Sequence, residues 1–360
     1  MESQQRFAVV ALSPDDSVKI SQLTDLFERA SGDCYPVQRV YDNAFWSGQI
    51  DHRLTSLAVF LNELLVAHIA IKPDRTDPSQ VQLVLPITDL KELSDIREAA
   101  ALLADVLKRQ CRRQRWRMIY HYALGCCPLS SALVTELMGS LETAICPAYL
   151  ALPQQQARAH ANLDEKKRSS NVIITQVIPF PAHFPHLDLY VPEMHREFCR
   201  WLYAPLGLER TFRSPARLAA AALADRSATE VREFPLLGTT HVEVFPSFVG
   251  DTRQMLSSVE RHKERELYLF VDATDPKCSE ICEELEFSSF RFCGMLPLRK
   301  SRDSIVYWRE HDVPIDTGHL SSARATVLAE YIQNYQRNGA SKFIPAKTLA
   351  SDYGQVAARR

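Results

Sequence analysis

Residues 81–107 read VQLVLPITDLKELSDIREAAALLADVL, and this stretch decides the fold. Val81–Leu85 is a short apolar run of strand length. Leu93, Ile96, Ala100, Leu103 and Leu107 then step by three and four, which places them on one face of a helix. The basic run from Lys108 to Arg117 closes that helix, where the dipole favours cations. A strand feeding an amphipathic helix is the unit from which α/β and α+β domains are built.

Flanking residues extend the alternation. Downstream, Met118–Leu124 reads as a strand, Leu129–Met138 as a short helix, and Ala144–Leu152 as a strand pair around Pro147. Upstream, Phe7–Leu12 is a strand, and Val18, Ile20, Leu23, Leu26 and Phe27 mark a helix after the Ser13–Asp16 cap. Ser56–Leu61 and Leu64–Ile71 are strands joined by Asn62-Glu63, a hairpin-length turn. Gln154–Ser170 is polar and aperiodic, a linker. The programme then restarts: strand Val172–Ile178, helix Glu193–Tyr203, strands around Gly238, helix Asp251–His262, and a closing helix through Tyr335. The order strand, strand, helix, strand, short helix, strand pair occurs around both Val81–Leu152 and Thr240–Trp308. The expected organisation is an N-terminal domain over 1–153, a linker over 154–170, a C-terminal domain over 171–336 and a tail over 337–360. Each domain is expected to hold a mixed twisted sheet flanked by helices.

The bulk numbers agree with two domains, since 360 residues and 40.9 kDa exceed what one core serves at roughly 100–200 residues per domain. With 46% hydrophobic and 24% charged residues, the chain falls outside the disordered and fibrous classes. A formal charge of −2 supplies no general field for nucleic acid or anionic lipid, which argues against both. The N-terminus lacks a secretory pattern and no run approaches the ~20 apolar residues of a span, so the expectation is soluble, cytoplasmic and without membrane contact. Nine cysteines, an odd number, read as reduced thiols. Neither Cys126-Cys127 nor Cys278 with Cys282 has metal-site spacing, so no metal is expected.

Particular residues carry a resemblance. In the first half they are Tyr35-Pro36, Tyr41-Asp42, Phe45-Trp46 and the run Ser56 to Val59 followed by Leu65 to Ala70. In the second they are Val191-Pro192 with His195, Leu206-Gly207-Leu208, Arg210, Gly250-Asp251, Asp275-Pro276, Cys282, Leu285, Phe287, Gly294, Leu296-Pro297 and Asp303. With the order of elements, they resemble the GNAT acyltransferase superfamily, and more closely a bacterial group with two such domains in one chain. The resemblance implies a fold whose fourth and fifth strands part to admit acetyl-CoA or another acyl-CoA. It also implies a Q/R-x-x-G-x-G/A loop whose backbone N–H groups cradle the diphosphate at a helix N-terminus.

That loop is where the chain departs. The equivalent positions Leu85, Ile87, Thr88, Leu90 and Ser94 belong to a segment with no glycine, and Asp89, Glu92 and Asp95 stand in its loop and first turn. Carboxylates there are expected to satisfy the helix's orphan donors and repel a diphosphate. In the second half Gly250 is the one glycine of the loop, with Asp251 as N-cap. The expectation is therefore no tightly bound cofactor and a binding or accessory role with a small molecule or a protein partner. The alternative is an active acyl-CoA-dependent N-acyltransferase on a small amine, with His121 or Tyr149 handling protons. His68 is a lesser candidate base, and Cys127 a thiol at a helix start. Lys108–Arg117 could hold an acidic partner, or RNA with Trp116 stacking, and the acidic run Glu280 to Glu286 leaves a homodimer open.

Overall fold

The computed structural model describes residues 6–32, 35, 38–50, 53–74, 77–124, 128–137, 139–148, 171–179, 184–214, 229–234, 239–259, 266–299, 302–309, 320 and 322–338. The 154–170 segment and the tail beyond 338 lie outside them. The fold is α/β, in two compact units.

The first unit opens with β1 (Phe7–Ala11) and α1 (Ser17–Ser31). Asp16 caps α1 by accepting the Lys19 N–H at 3.1 Å, and Ile20, Leu23, Leu26 and Phe27 are its buried face. In α2 (Asn43–Gln49), Asp42 caps by accepting the Ala44 N–H, and buried Trp46 donates its indole N–H to the Val40 carbonyl. β2 (Thr55–Leu61) and β3 (Leu64–Pro73) form the expected hairpin. Asn62 and Glu63 take φ 49° and 69°, as a two-residue turn matched to strand twist requires. β4 (Gln80–Thr88) leads to α3 (Leu93–Gln114), β5 (Met118–Leu124), α4 (Pro128–Glu136) and β6 (Leu141–Ala148). β7 (Asn171–Pro179), read from sequence as the start of the C-terminal half, runs antiparallel to β5 within the first unit. Ile174, Val177 and Ile178 are buried there. The strand order is β1-β2-β3-β4-β5-β7, with β4 and β5 parallel and the other pairs antiparallel.

Period two sorts the side chains of this sheet into two cores. Leu57, Val59, Val81 and Leu83 pack with Ile96, Ala100, Leu103 and Leu107 of α3 and with Leu133 and Val134 of α4. Ala58, Leu65 and Ala70 pack on the opposite face, with Leu23, Phe27 and Trp46 of α1 and α2.

In the second unit, β8 (Leu187–Leu189) pairs in parallel with β9 (Arg210–Phe212), and α5 (Glu193–Tyr203) lies between them in sequence. β10 (Thr229–Phe234), β11 (Thr239–Val244), α6 (Thr252–Val259), β12 (Glu266–Asp272), α7 (Cys278–Phe287), β13 (Phe290–Arg299), β14 (Arg302–Arg309) and α8 (Ala323–Asn338) follow. Residues 143–148 of β6 belong to this unit, beside β13. The order is β6-β13-β14-β12-β11-β10, with β11 and β12 parallel. Gly294, at φ +125°, could carry no side chain, because a Cβ would lie 2.3 Å from the Thr143 carbonyl oxygen. No helix among the described residues is long and apolar enough to cross a membrane.

Candidate functional site

In the first unit, β4 and β5 pair only over Gln80–Leu83 and Met118–His121. Beyond that point β4 stays with β3 as far as Thr88, and β5 stays with β7 as far as Leu124. The two parallel strands therefore separate, and a fork opens at Leu83 and His121. A β-bulge marks the place: β3 advances from Ala70 to His68 while β4 advances from Val84 to Ile87. The extra residue reverses the faces, so Leu83 packs with α3 whereas Ile87 packs with α1 and α2. Leu85 sits in the bulge at φ +53°, a region non-glycine residues rarely occupy. Pro86 follows it and removes a backbone donor at the mouth of the fork.

Two buried histidines stand at the fork, one holding the bulge and one the point of separation. His68 lies with Nδ1 3.2 Å from the Leu85 carbonyl oxygen and Nε2 2.7 Å from Ser56 Oγ. With Nδ1–H donating to the carbonyl, Nε2 accepts the Ser56 hydroxyl proton, which makes the ring neutral. Burial among Phe27 and Trp46 lowers its pKa from 6.5 to about 4. His121, at the point of separation, has Nδ1 3.0 Å from the Leu83 carbonyl oxygen, and burial likewise lowers its pKa to about 4. Both rings are deprotonated at neutral pH and are weak bases. Tyr149 and Cys127 lie outside the described residues.

The loop after β4 differs from what its carboxylates suggested. Thr88 Oγ1 donates to the Val66 carbonyl at 2.9 Å and accepts the Leu90 N–H at 3.2 Å. The Asp89 N–H also goes to the Val66 carbonyl, at 3.2 Å. The Asp89 and Leu90 N–H groups are thus engaged inside the protein. The expected capping by acidic side chains is not observed. Asp89 pairs with Arg29 at 2.8 Å, Asp95 with Arg6 at 2.9 Å, and Glu92, at the N-cap position of α3, makes no side-chain capping bond. Charge pairing across the fold outcompetes local capping because a guanidinium offers a charged, forked donor. Ile87, Thr88 and Leu90 are buried, Leu85 is half-buried, and Ser94 is exposed in the first turn.

The corresponding pair in the second unit stays together. β11 pairs with β12 along its whole length, Thr239–Val244 against Glu266–Val271. In the loop that follows, Asp275 Oδ2 accepts the Ser247 N–H at 2.7 Å, and Asp251 caps α6 by accepting the Arg253 N–H at 2.8 Å. Gly250 is exposed at an ordinary φ. A diphosphate does not fit this loop, because two carboxylates stand at its donors.

Other candidates resolve as structural. Trp116 is 8% exposed and offers no stacking face. Cys278 and Cys282 lie with sulfurs 3.7 Å apart and buried, and burial raises the Cys278 pKa. His195 is buried between Glu286 at 2.8 Å and the Tyr331 hydroxyl at 2.9 Å. No metal-binding cluster occurs among the described residues. Sequence reasoning missed Arg6 and Arg29 and gave no role to Ser56 and Asp275; their partners are 89, 60, 12 and 28 residues away. Pro86 inside an apparent strand was the available signal for the bulge.

No family model matches the chain, and no curated protein is similar to it in sequence. Solved structures similar to it include the ribosomal-protein-S18-alanine N-acetyltransferase from Escherichia coli, at 12% identity and a TM-score of 0.34. That similarity covers 48% of this chain and 93% of that one. The S5-alanine acetyltransferase from Vibrio fischeri is 10% identical over 50% of this chain and 96% of its own, with a TM-score of 0.37. A putative acetyltransferase from Salmonella typhimurium, solved with acetyl-CoA, is 12% identical over 49% of this chain and 96% of its own, at 0.37.

Proposed function

We propose that this chain is a GNAT-like protein in which the first unit keeps the open fork of an acyltransferase but has lost its diphosphate loop. It acts as a binding or accessory protein with little or no transferase activity, and the fork takes a small molecule. The observation that carries the reading is the inward engagement of the Asp89 and Leu90 N–H groups, with Pro86 removing a donor beside them. The closed β11–β12 pair supports a scaffold role for the second unit.

One observation favours the alternative, an active acyl-CoA-dependent N-acyltransferase on a small amine. Arg29 and Arg6 neutralise Asp89 and Asp95, which weakens the repulsion that these carboxylates would otherwise exert on a phosphate. Thermal unfolding with acetyl-CoA and longer acyl-CoAs separates the readings. A ligand at 100 times its dissociation constant adds about 2.7 kcal/mol, so a true cofactor shifts the midpoint by several degrees. The proposal expects no shift. A saturable shift abolished by Thr88→Val and retained in Asp275→Ala would overturn the lost-loop reading and place acyl-CoA in the first unit, and release of free CoA in the presence of an amine would then establish the alternative.

A further inference from the structure

Helix α3 carries its charge unevenly. Asp95, Glu98 and Asp105 fall in its earlier turns, and Lys108, Arg109, Arg112 and Arg113 at its end, followed by Arg115 and Arg117. Lys108, Arg109, Arg112, Arg113 and Arg115 are exposed, and among the described residues none of the six cations forms an ion pair. The helix dipole welcomes cations here, but Lys108 with Arg112 and Arg109 with Arg113 are like charges at i,i+4, which repel. Arg115 ends the helix at φ 56°, ψ 39°, the left-handed position that glycine ordinarily fills. The surface thus holds more positive charge than the fold's own stability favours.

A complementary surface exists on the same chain. On α7, Glu280, Glu283, Glu284 and Phe287 are spaced i, i+3, i+4, i+7, one stripe of the helix. All four are exposed, Phe287 at 92%, and no ion pair reaches the three glutamates among the described residues. At 1.5 Å rise per residue, Lys108 to Arg113 spans about 7.5 Å and Glu280 to Glu284 about 6 Å. Ahead of the basic end, Ala101 is exposed, and Leu102 and Val106, which pack against the first unit's core, keep part of their surface open. With the helices antiparallel, the glutamates fall over the arginines and Phe287 over this apolar turn.

We propose that the basic end of α3 docks the acidic face of α7 on a second copy of this chain, with Phe287 seated against Leu102 and Val106. Nucleic acid fits the basic face less well: Trp116 is buried and the chain is net negative. The test is sedimentation of the full-length protein at about 0.05 M and about 0.5 M salt, bracketing the screening range. The wild type is expected to dimerise at low salt and to weaken at least tenfold at high salt. R112E/R113E and E283R/E284R are each expected to be monomeric, and a 1:1 mixture of the two to dimerise again. A wild type that stays monomeric at low salt overturns the proposal, as does a dimer indifferent to both reversals. Salt-sensitive capture by immobilised RNA, lost in R112E/R113E while E283R/E284R associates like wild type, also overturns it, in favour of a nucleic-acid surface.

Discussion

The parallel pair β4–β5 of the first unit and the pair β11–β12 of the second are built from the same order of elements, yet one is open and the other shut. β11 keeps its ladder to the last residue, Val244 opposite Val271, whereas β4 leaves β5 after Leu83. The structural difference is a single inserted residue at Leu85–Pro86, held by the buried link from Ser56 through His68 to the Leu85 carbonyl. The loops diverge in the same sense. In the second unit Asp275 and Asp251 accept backbone N–H groups, while in the first the carboxylates of Asp89 and Asp95 are taken by arginines and the backbone donors turn to Val66 and Thr88. The opening of the strand pair and the partners of the loop that follows it thus both differ between the two units.

Acid should expose that contrast most strongly. His68 and His121 both bracket the fork, and both have folded-state pKa values near 4 against an ordinary 6.5. Between those values the unfolded chain binds more protons than the folded one, so their contribution is complete above pH 6.5 and is lost as pH falls toward 4. At 1.36 kcal/mol per unit, each histidine accounts for about 3 kcal/mol of that loss. Urea unfolding between pH 8 and pH 4 should show the first unit weakening across this window, a trend reduced in His121→Leu. A flat profile would remove the buried neutral histidines from the account of the fork.

Next in size is His68→Ala. It leaves a cavity beside Phe27 and Trp46 and strips partners from the buried Ser56 hydroxyl and the Leu85 carbonyl. Cavity and lost hydrogen bonds together predict about 3–5 kcal/mol of destabilisation by urea denaturation. Hydrogen exchange should localise the effect to β3 and β4. In the second unit, Asp275→Ala frees the Ser247 and Lys277 N–H groups and should cost about 1–2 kcal/mol, with β4 and β5 unaffected. If either change spread its effect through both strand pairs, the pairs would not be independent.

How much of this was legible in the sequence follows from the range of each interaction. The α3 stripe, the Asn62-Glu63 hairpin and the Asp251 cap are local: period, turn length and cap chemistry declare them. Pro86 breaks the run from Val81 to Ile87 and signals a bulge, but nothing local in the sequence shows that β4 and β5 part there. The loop carboxylates were visible as residues, but Arg29 lies 60 positions from Asp89 and Arg6 lies 89 from Asp95, distances at which no spacing rule operates. Trp116 beside five arginines invited a stacking role, and burial removed it.

The smallest effect tests the subtlest part of the contrast, whether arginine pairing matters to the open loop. Arg29 is about one-third exposed and Asp89 less so, and Arg29 also donates to the Leu65 carbonyl at 2.6 Å. Screening by solvent limits such a pair, so a double-mutant cycle of Arg29→Ala and Asp89→Ala should give a coupling of about 0.5–1 kcal/mol. The coupling should shrink in high salt, because the partners remain within reach of ions. Asp89→Ala alone should then cost little, since the loop is held chiefly by Thr88 and by the Asp89 N–H, which the substitution keeps. A coupling near zero would mean that the bonds of the Thr88 hydroxyl and of the Asp89 N–H hold the loop without help from charge.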